Sequence, residues 1–287
     1  MPAAPPDDLV LSLSCPDTPG IVHAVAGFLL QHGCNISTSQ QFDDASNDRF
    51  FMRVQATAPL PLNLAGLRNA FRTTAEAFDM TWTLSSTAAR PKVLIMVSRF
   101  EHCLNDLLFR WRSGQLKVDI VAIVSNHVDF EGVARSNGIP FHYIPVTADT
   151  KAAAEDKLLS LTRELDVSLI VLARYMQVLG DELCRELDGR IINIHHSFLP
   201  GFKGAKPYHQ AFERGVKLVG ATAHYVTAEL DEGPIIEQEV IRVDHNYSAD
   251  ALVVAGRDAE RVALAKAVQW HAEHRVLRNG HRTIVFK

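Results

Sequence analysis

Lys92-Val93-Leu94-Ile95-Met96-Val97 is a nearly unbroken apolar run of strand length. A strand with one wet face alternates apolar and polar residues, so a run without alternation predicts a strand covered on both faces. Parallel sheets flanked by helices supply that environment. Toward the C-terminus the rhythm repeats, with helical stretches near 103–111, 133–137, 152–165 and 181–187. They separate strands expected at 118–124, 141–144, 169–172 and 191–197. The stretches 219–226 and 235–243 pair as strands, and 249–270 has helical period. Alternation of this kind predicts an α/β domain over 91–287 with a doubly wound, mostly parallel sheet. Its ligands are expected beyond the carboxyl ends of the strands.

Toward the N-terminus the rhythm changes. Ser85 to Pro91 is a small, polar hinge. Before it come a strand at 9–13, a helix at 21–31, strands at 36–42 and 50–56, a helix at 64–78 and a strand at 80–84. The order βαββαβ is the ferredoxin-like split motif, expected here over residues 8–85.

Composition narrows the class. The chain has 287 residues, of which 47% are hydrophobic and 22% charged, enough for two folded cores. A net charge of -4 without a basic run disfavours nucleic acid and anionic membrane surfaces. The start, MPAAPPDD, lacks the charged and apolar regions of a secretory signal, and no apolar stretch approaches a bilayer span. Cys15, Cys34, Cys103 and Cys184 are scattered without a CxxC pair, as expected of reduced thiols in a cytoplasmic protein.

Chemistry concentrates in Asn193-Ile194-His195-His196-Ser197-Phe198-Leu199-Pro200. Alternation along a strand puts Asn193, His195 and Ser197 on one face and His196 on the other, where it reads as structural. Two N–H donors, from Asn193 and His195, suit a carbonyl oxygen that becomes an oxyanion. Asp231 lies in a turn-rich loop between two strands, where a carboxylate can stabilise an imidazolium and accept a proton from a nucleophile. His224, on the strand approaching that loop, is a candidate orienting residue. No G-x-S-x-G elbow surrounds Ser197, which argues against a serine nucleophile. The close pairs His195-His196 and His271-x-x-His274 lack cysteine or carboxylate partners at zinc spacing, so no metal is expected. The second pair reads as a solvated helix face. No G-x-G-x-x-G follows a strand, so no dinucleotide is expected.

Two resemblances extend this reading. The first 75 or so residues after Asp8 resemble an ACT domain, with Asp17-Thr18-Pro19-Gly20 at the first turn and Gly33-Cys34-Asn35-Ile36 entering the second strand. That resemblance implies an amino-acid effector, glycine or methionine, held near Asp17, Gly20 and Asn35, and pairing into a homodimer or homotetramer. Residues 92–245 resemble the folate-dependent formyltransferases through the Asn193–Pro200 segment, Gly220-Ala221-Thr222-Ala223-His224 and Asp231-Glu232-Gly233-Pro234-Ile235. The family's catalytic asparagine, histidine and aspartate fall on Asn193, His195 and Asp231. Its folate-contacting segment falls on Arg174–Leu179, implying contacts from Met176, Gln177 and Leu179, with a second wall including Val226 and Glu229.

One departure matters. Members that formylate a sugar-phosphate amine carry a glycine-rich phosphate cradle after the first strand. Here that position reads Ser98-Arg99-Phe100-Glu101-His102-Cys103-Leu104-Asn105-Asp106, too bulky for close backbone approach. With the ACT-like segment in front, the chain resembles the deformylase branch of the family. There 10-formyltetrahydrofolate is substrate, water is the acceptor and no further cofactor is implied. Arg99 and His102 could recruit an anion, which leaves open a formyltransferase with an unusual acceptor; a separate alternative is a non-catalytic sensor in which the ACT-like half binds an amino acid and the rest is degenerate.

Overall fold

The computed structural model describes residues 8–59, 61–201 and 207–287; the first seven residues of the MPAAPPDD start lie outside it. The chain divides into two compact units. One runs to Arg90 and takes in Glu273–Asn279 and Ile284–Lys287; the other is Pro91–Ala272 with Gly280–Thr283.

The first unit has the expected order: β1 (Asp8–Pro16), α1 (Ile21–Gln31), β2 (Asn35–Asp44), β3 (Arg49–Thr57), α2 (Leu64–Ala77) and β4 (Thr81–Ser86). The strands form an antiparallel sheet ordered β2-β3-β1-β4. Leu9, Leu11 and Leu13 of β1 pack with Val25 and Leu29 of α1 and Phe71 of α2 in one buried core. Phe71 stands edge-on to Phe28 and to Trp82, the arrangement that ring quadrupoles favour.

The domain boundary expected to leave everything after 91 in the second unit is corrected at the C-terminus. The segments 273–279 and 284–287 join the first unit because its sheet supplies their polar partners. Ser12 donates to the His274 carbonyl at 2.8 Å, Arg53 to the Glu273 carbonyl at 3.1 Å, and Asn279 to Asp44 at 2.6 Å. Arg53 is thereby buried, and burial, with Arg275 nearby, pushes its pKa down to about 10. The short strands β12 (Val276–Asn279) and β13 (Arg282–Val285) that form this hairpin were not foreseen.

The second unit contains β5 (Lys92–Val97), α3 (His102–Arg112), β6 (Asp119–Ser125), α4 (Glu131–Ser136), β7 (Phe141–Tyr143), α5 (Lys151–Glu164) and β8 (Leu169–Leu172). It continues with α6 (Asp181–Glu186), β9 (Ile191–His195), α7 (Pro207–Glu213), β10 (Leu218–Tyr225), β11 (Ile235–Arg242) and α8 (Ala249–Ala272). Its sheet is ordered β11-β10-β9-β8-β5-β6-β7. The five strands from β9 to β7 in that order are parallel, and β10 alone runs antiparallel to its neighbours β9 and β11. From β5 the chain winds outward through β6 and β7, then returns to β8 on the other side. The crevice between β5 and β8 is therefore a topological switch point, where an open α/β sheet offers its binding site. Val93 to Val97 are all essentially buried, as the unbroken apolar run requires. Among the described residues, no helix is long and apolar enough to cross a membrane.

Candidate active site

Backbone pairing brings the polar residues together. In the β9–β10 register, Asn193 stands opposite His224 and His195 opposite Thr222. Asn193 Nδ2 donates to His224 Nε2 at 3.2 Å. His224 Nδ1 donates to the Tyr225 carbonyl at 2.9 Å, which leaves Nε2 of the neutral ring as an acceptor. His224 is 2% exposed, and burial lowers its pKa against a smaller opposing effect from that backbone bond. A neutral His224 thus fixes the Asn193 amide, and one of its two N–H groups remains for a ligand.

Asp231 arrives from the β10–β11 loop with a left-handed φ of 58°. Its Oδ2 lies 3.3 Å from His195 Nδ1, and its Oδ1 lies 3.7 Å from His224 Nε2. The hydrogen bond from His195 holds the Asp231 carboxyl below the usual carboxylate range, outweighing the opposite pull of burial. His195 Nδ1 is engaged, while its buried Nε2 has no partner among the described residues. Buried polar atoms are normally satisfied, and an orphan of this kind marks where a ligand atom belongs.

These groups line a cavity of about 220 Å³. The segment after β8 forms its other wall, through Arg174 to Leu179, and Val226 closes it from β10. Ser98, at the end of β5, anchors that segment: its hydroxyl accepts the Met176 N–H at 3.0 Å and donates to Asn126 at 2.7 Å. Of the expected folate contacts, Met176, Gln177, Leu179 and Val226 line the cavity. Glu229 does not; it is exposed, and its carbonyl accepts the Thr227 hydroxyl at 3.1 Å. Asp17, Gly20 and Asn35, in the first unit, are exposed.

Two expectations about neighbouring residues are corrected. β9 ends at His195, not Ser197. Thr222 draws the chain off the sheet, donating to the Ser197 carbonyl at 2.9 Å and accepting the Leu199 N–H at 3.0 Å. Ser197 therefore points away, its hydroxyl on the Gly201 carbonyl at 2.9 Å. His196 lines the cavity instead, its ring 5.2 Å from that of His195. Burial, with Arg174 and His195 nearby, pushes its pKa down to about 4, so it is neutral near pH 7. The histidines of the C-terminal pair are not a solvated face either. His271 meets the Tyr225 hydroxyl at 2.8 Å, and burial lowers the pKa of His274.

Sequence reading also missed Glu260, a carboxylate on α8 that is 1% exposed. Its oxygens meet His102 at 2.8 Å, Tyr208 at 3.1 Å and Arg174 at 3.4 Å. Burial alone would raise its pKa, but the His102 bond and the Arg174 charge hold it below the ordinary range. His102, expected to be free for an anion, is committed here. His102, Cys103 and Glu260 place three potential metal-ligand atoms within 4.8 Å of one another, a group that sequence spacing could not reveal. The Arg174 guanidinium on the same carboxylate opposes a second cation, and we read the group as an ion-pair node.

Known proteins resemble this chain along nearly its whole length. The formyl transferase family model matches residues 91–268 and the ACT domain model residues 9–69. A formyltetrahydrofolate deformylase of Corynebacterium sp. (strain P-1) is 56% identical over 97% of this chain and 98% of its own length. That of Bacillus subtilis is 49% identical, covering 96% and 93%. The crystal structure of the Burkholderia mallei formyltetrahydrofolate deformylase superposes with a TM-score of 0.94 at 55% identity, covering 98% of this chain and all of that one. Glycinamide ribonucleotide transformylase 1 from Symbiobacterium toebii reaches a TM-score of 0.66 at 28% identity and covers 71% of this chain and 98% of its own.

Proposed function

Because the chain belongs to the formyltetrahydrofolate deformylase family, we propose that it hydrolyses 10-formyltetrahydrofolate to formate and tetrahydrofolate with Asn193, His195 and Asp231 as the reacting groups. The observation that carries the assignment is the orphaned, buried Nε2 of His195 in the cavity that Asn193 also lines. Two donors converging on one point suit a carbonyl oxygen as it gains charge.

Water held by the Asp231 carboxylate attacks the formyl carbon and passes its proton to that carboxylate. The oxyanion is received by Asn193 Nδ2–H and by Nε2–H of the His195 imidazolium. His195 gives its own Nε2 proton to N10 as the C–N bond breaks, and of the two protons then held by the formic acid product and by Asp231, one returns to His195 and one passes to solvent. Formate and tetrahydrofolate leave. The pterin lies against the Arg174–Leu179 segment, with Met176, Gln177, Leu179 and Val226 as its contacts. Neutral His224 is a positioning residue for Asn193.

We further propose that folate substrate is the only small molecule the chemistry needs, and that the enzyme works in the cytoplasm, a reading supported by four free, buried cysteines. The ACT domain match supports a small-molecule effector. We propose glycine or methionine near Asp17, Gly20 and Asn35, in a homodimer or homotetramer.

The test supplies 10-formyltetrahydrofolate and water alone and measures formate. Wild type should release it, and Asn193→Ala should lose about 100- to 1,000-fold in kcat, the usual cost of one oxyanion donor. Undiminished turnover by a folded Asn193→Ala variant would remove the assignment.

A further inference from the structure

Water and a primary amine attack a formyl carbon by the same route, and the three reacting groups serve either. With water, a C–O bond replaces the C–N10 bond, N10 takes a proton and formate leaves. With an amine, a new C–N bond forms, the amine loses a proton, N10 gains one and a formamide leaves. What decides the product is which nucleophile can reach the carbon.

A second cavity of about 660 Å³ opens beside the carboxyl end of β5, lined by Phe100 and His102 together with Arg99, Arg257 and Arg261. It has ample room for an acceptor molecule. Arg174 lines the reaction cavity, and its guanidinium carbon lies 5.1 Å from the centre of the Phe100 ring. The Arg174–Phe100 contact therefore joins the lining of one space to the lining of the other. Arg174 is 8% exposed; its backbone is pinned, while its guanidinium Nε and Nη1 have no hydrogen-bond partner among the described residues and it is placed by charge and stacking. Its carbonyl accepts the Ser98 N–H at 3.3 Å, its φ is a left-handed 65°, and its Nε lies 3.4 Å from Glu260. Glu260 is braced in turn by His102 and Tyr208. Apolar residues of similar volume would close such a gap at no electrostatic cost, so a buried charged set is weakly explained by stability. It has a direct effect on acceptor choice. A primary amine near neutral pH is largely an ammonium ion, which a guanidinium repels, whereas neutral water carries no such penalty.

We propose that Arg174, fixed by Glu260 and stacked on Phe100, is the wall that shuts the larger cavity off from the formyl carbon and reserves the reaction for water. The proposal rests on the deformylase reading above and adds its specificity determinant.

The experiment gives the full-length enzyme 10-formyltetrahydrofolate with excess glycinamide, a small primary amine, and quantifies formate and N-formylglycinamide by mass spectrometry. Wild type should make formate alone. Arg174→Ala should raise the formamide-to-formate ratio to about tenfold or more above the wild-type detection limit, the scale on which one removed wall element changes discrimination. Because that variant strips a partner from buried Glu260, Phe100→Ala opens the same wall without touching the charge, and it decides the matter if Arg174→Ala does not fold. Ratios unchanged from wild type in the folded variants overturn the proposal. So does a wild-type enzyme that formylates glycinamide as readily as it hydrolyses, and the deformylase reading survives that result. A wild type that releases no formate in water alone fails the deformylase reading itself.

Discussion

A methyl group on Gly233 would stand 1.7 Å from the Tyr225 carbonyl oxygen and 3.4 Å from His224 Nδ1. Only a residue without Cβ lets this loop lie against β10, and the loop carries Asp231 two residues earlier. Gly233→Ala must lift the loop, and a reacting group displaced by about 1 Å costs on the order of 100-fold in rate. We expect kcat for formate release to fall by about that factor while the circular dichroism spectrum stays native. A variant with wild-type kcat would show that the loop position is not what holds Asp231 on His195. At this scale much of the site was legible. Strand alternation and the donor chemistry of an amide and an imidazole single out Asn193 and His195, and turn residues around Asp231 place it in a loop. Ser197 was misread because alternation assumes the strand continues, and Thr222, distant in sequence, ends it at His195. Glu260 was invisible because a glutamate within a long charged helix reads as a solvated position; its partners His102, Arg174 and Tyr208 come from three other segments.

The helix α2 shows how an element's start is written locally. Asn63 precedes it, and its Oδ1 accepts the Gly66 N–H at 2.9 Å, satisfying one of the first-turn amides that have no partner within the helix. Asn63→Ala removes that acceptor and should destabilise the first unit by about 1 kcal/mol, read as a lowered urea midpoint with an unchanged slope. No change in midpoint would mean water caps the helix equally well. Element types over most of the chain were legible for the same reason: Leu67, Phe71 and Ala75 recur at helical spacing on the buried face of α2, and Val93 to Val97 lack alternation. The C-terminal hairpin was not legible. Its strands are four residues each and rich in arginine, and its partners lie more than two hundred residues earlier, such as Asp44 for Asn279. Neither length nor periodicity signals a four-residue hairpin strand whose side-chain anchors lie so far away in sequence.

Among the described residues, the buried histidines, carboxylates, cysteines and tyrosines with shifted pKa values resist changing their charge, whereas buried Arg53, lowered to about 10, does not. Burial lowers His196 to about 4 and also lowers His224 and His274, all from an ordinary value of 6.5. Below pH 6.5 the unfolded chain binds protons at these rings that the native protein refuses, so stability falls as pH drops from 6.5 toward 4. Asp231 and Glu260, held below 3.8 and 4.5, extend the loss at still lower pH. The opposite limb follows from the cysteines. Burial raises the pKa of Cys15, Cys34, Cys103 and Cys184 above 9.0 and that of Tyr175 to about 12. Above pH 9 the unfolded chain therefore sheds protons that the native protein keeps, and stability falls again. We expect the urea midpoint to be flat between about pH 6.5 and 9 and to decline on both sides. On the acid side each refused proton contributes at most about 1.4 kcal/mol per pH unit. Titrating the midpoint from pH 4 to 10 checks this, and His196→Gln, which removes the histidine lowered to about 4, should make the acid limb shallower. A midpoint that stays level from pH 7 to 4 would mean that these rings take up protons in the native protein. His224 would then lose its lone pair for Asn193, and the order in the active site described above could not hold at mildly acid pH.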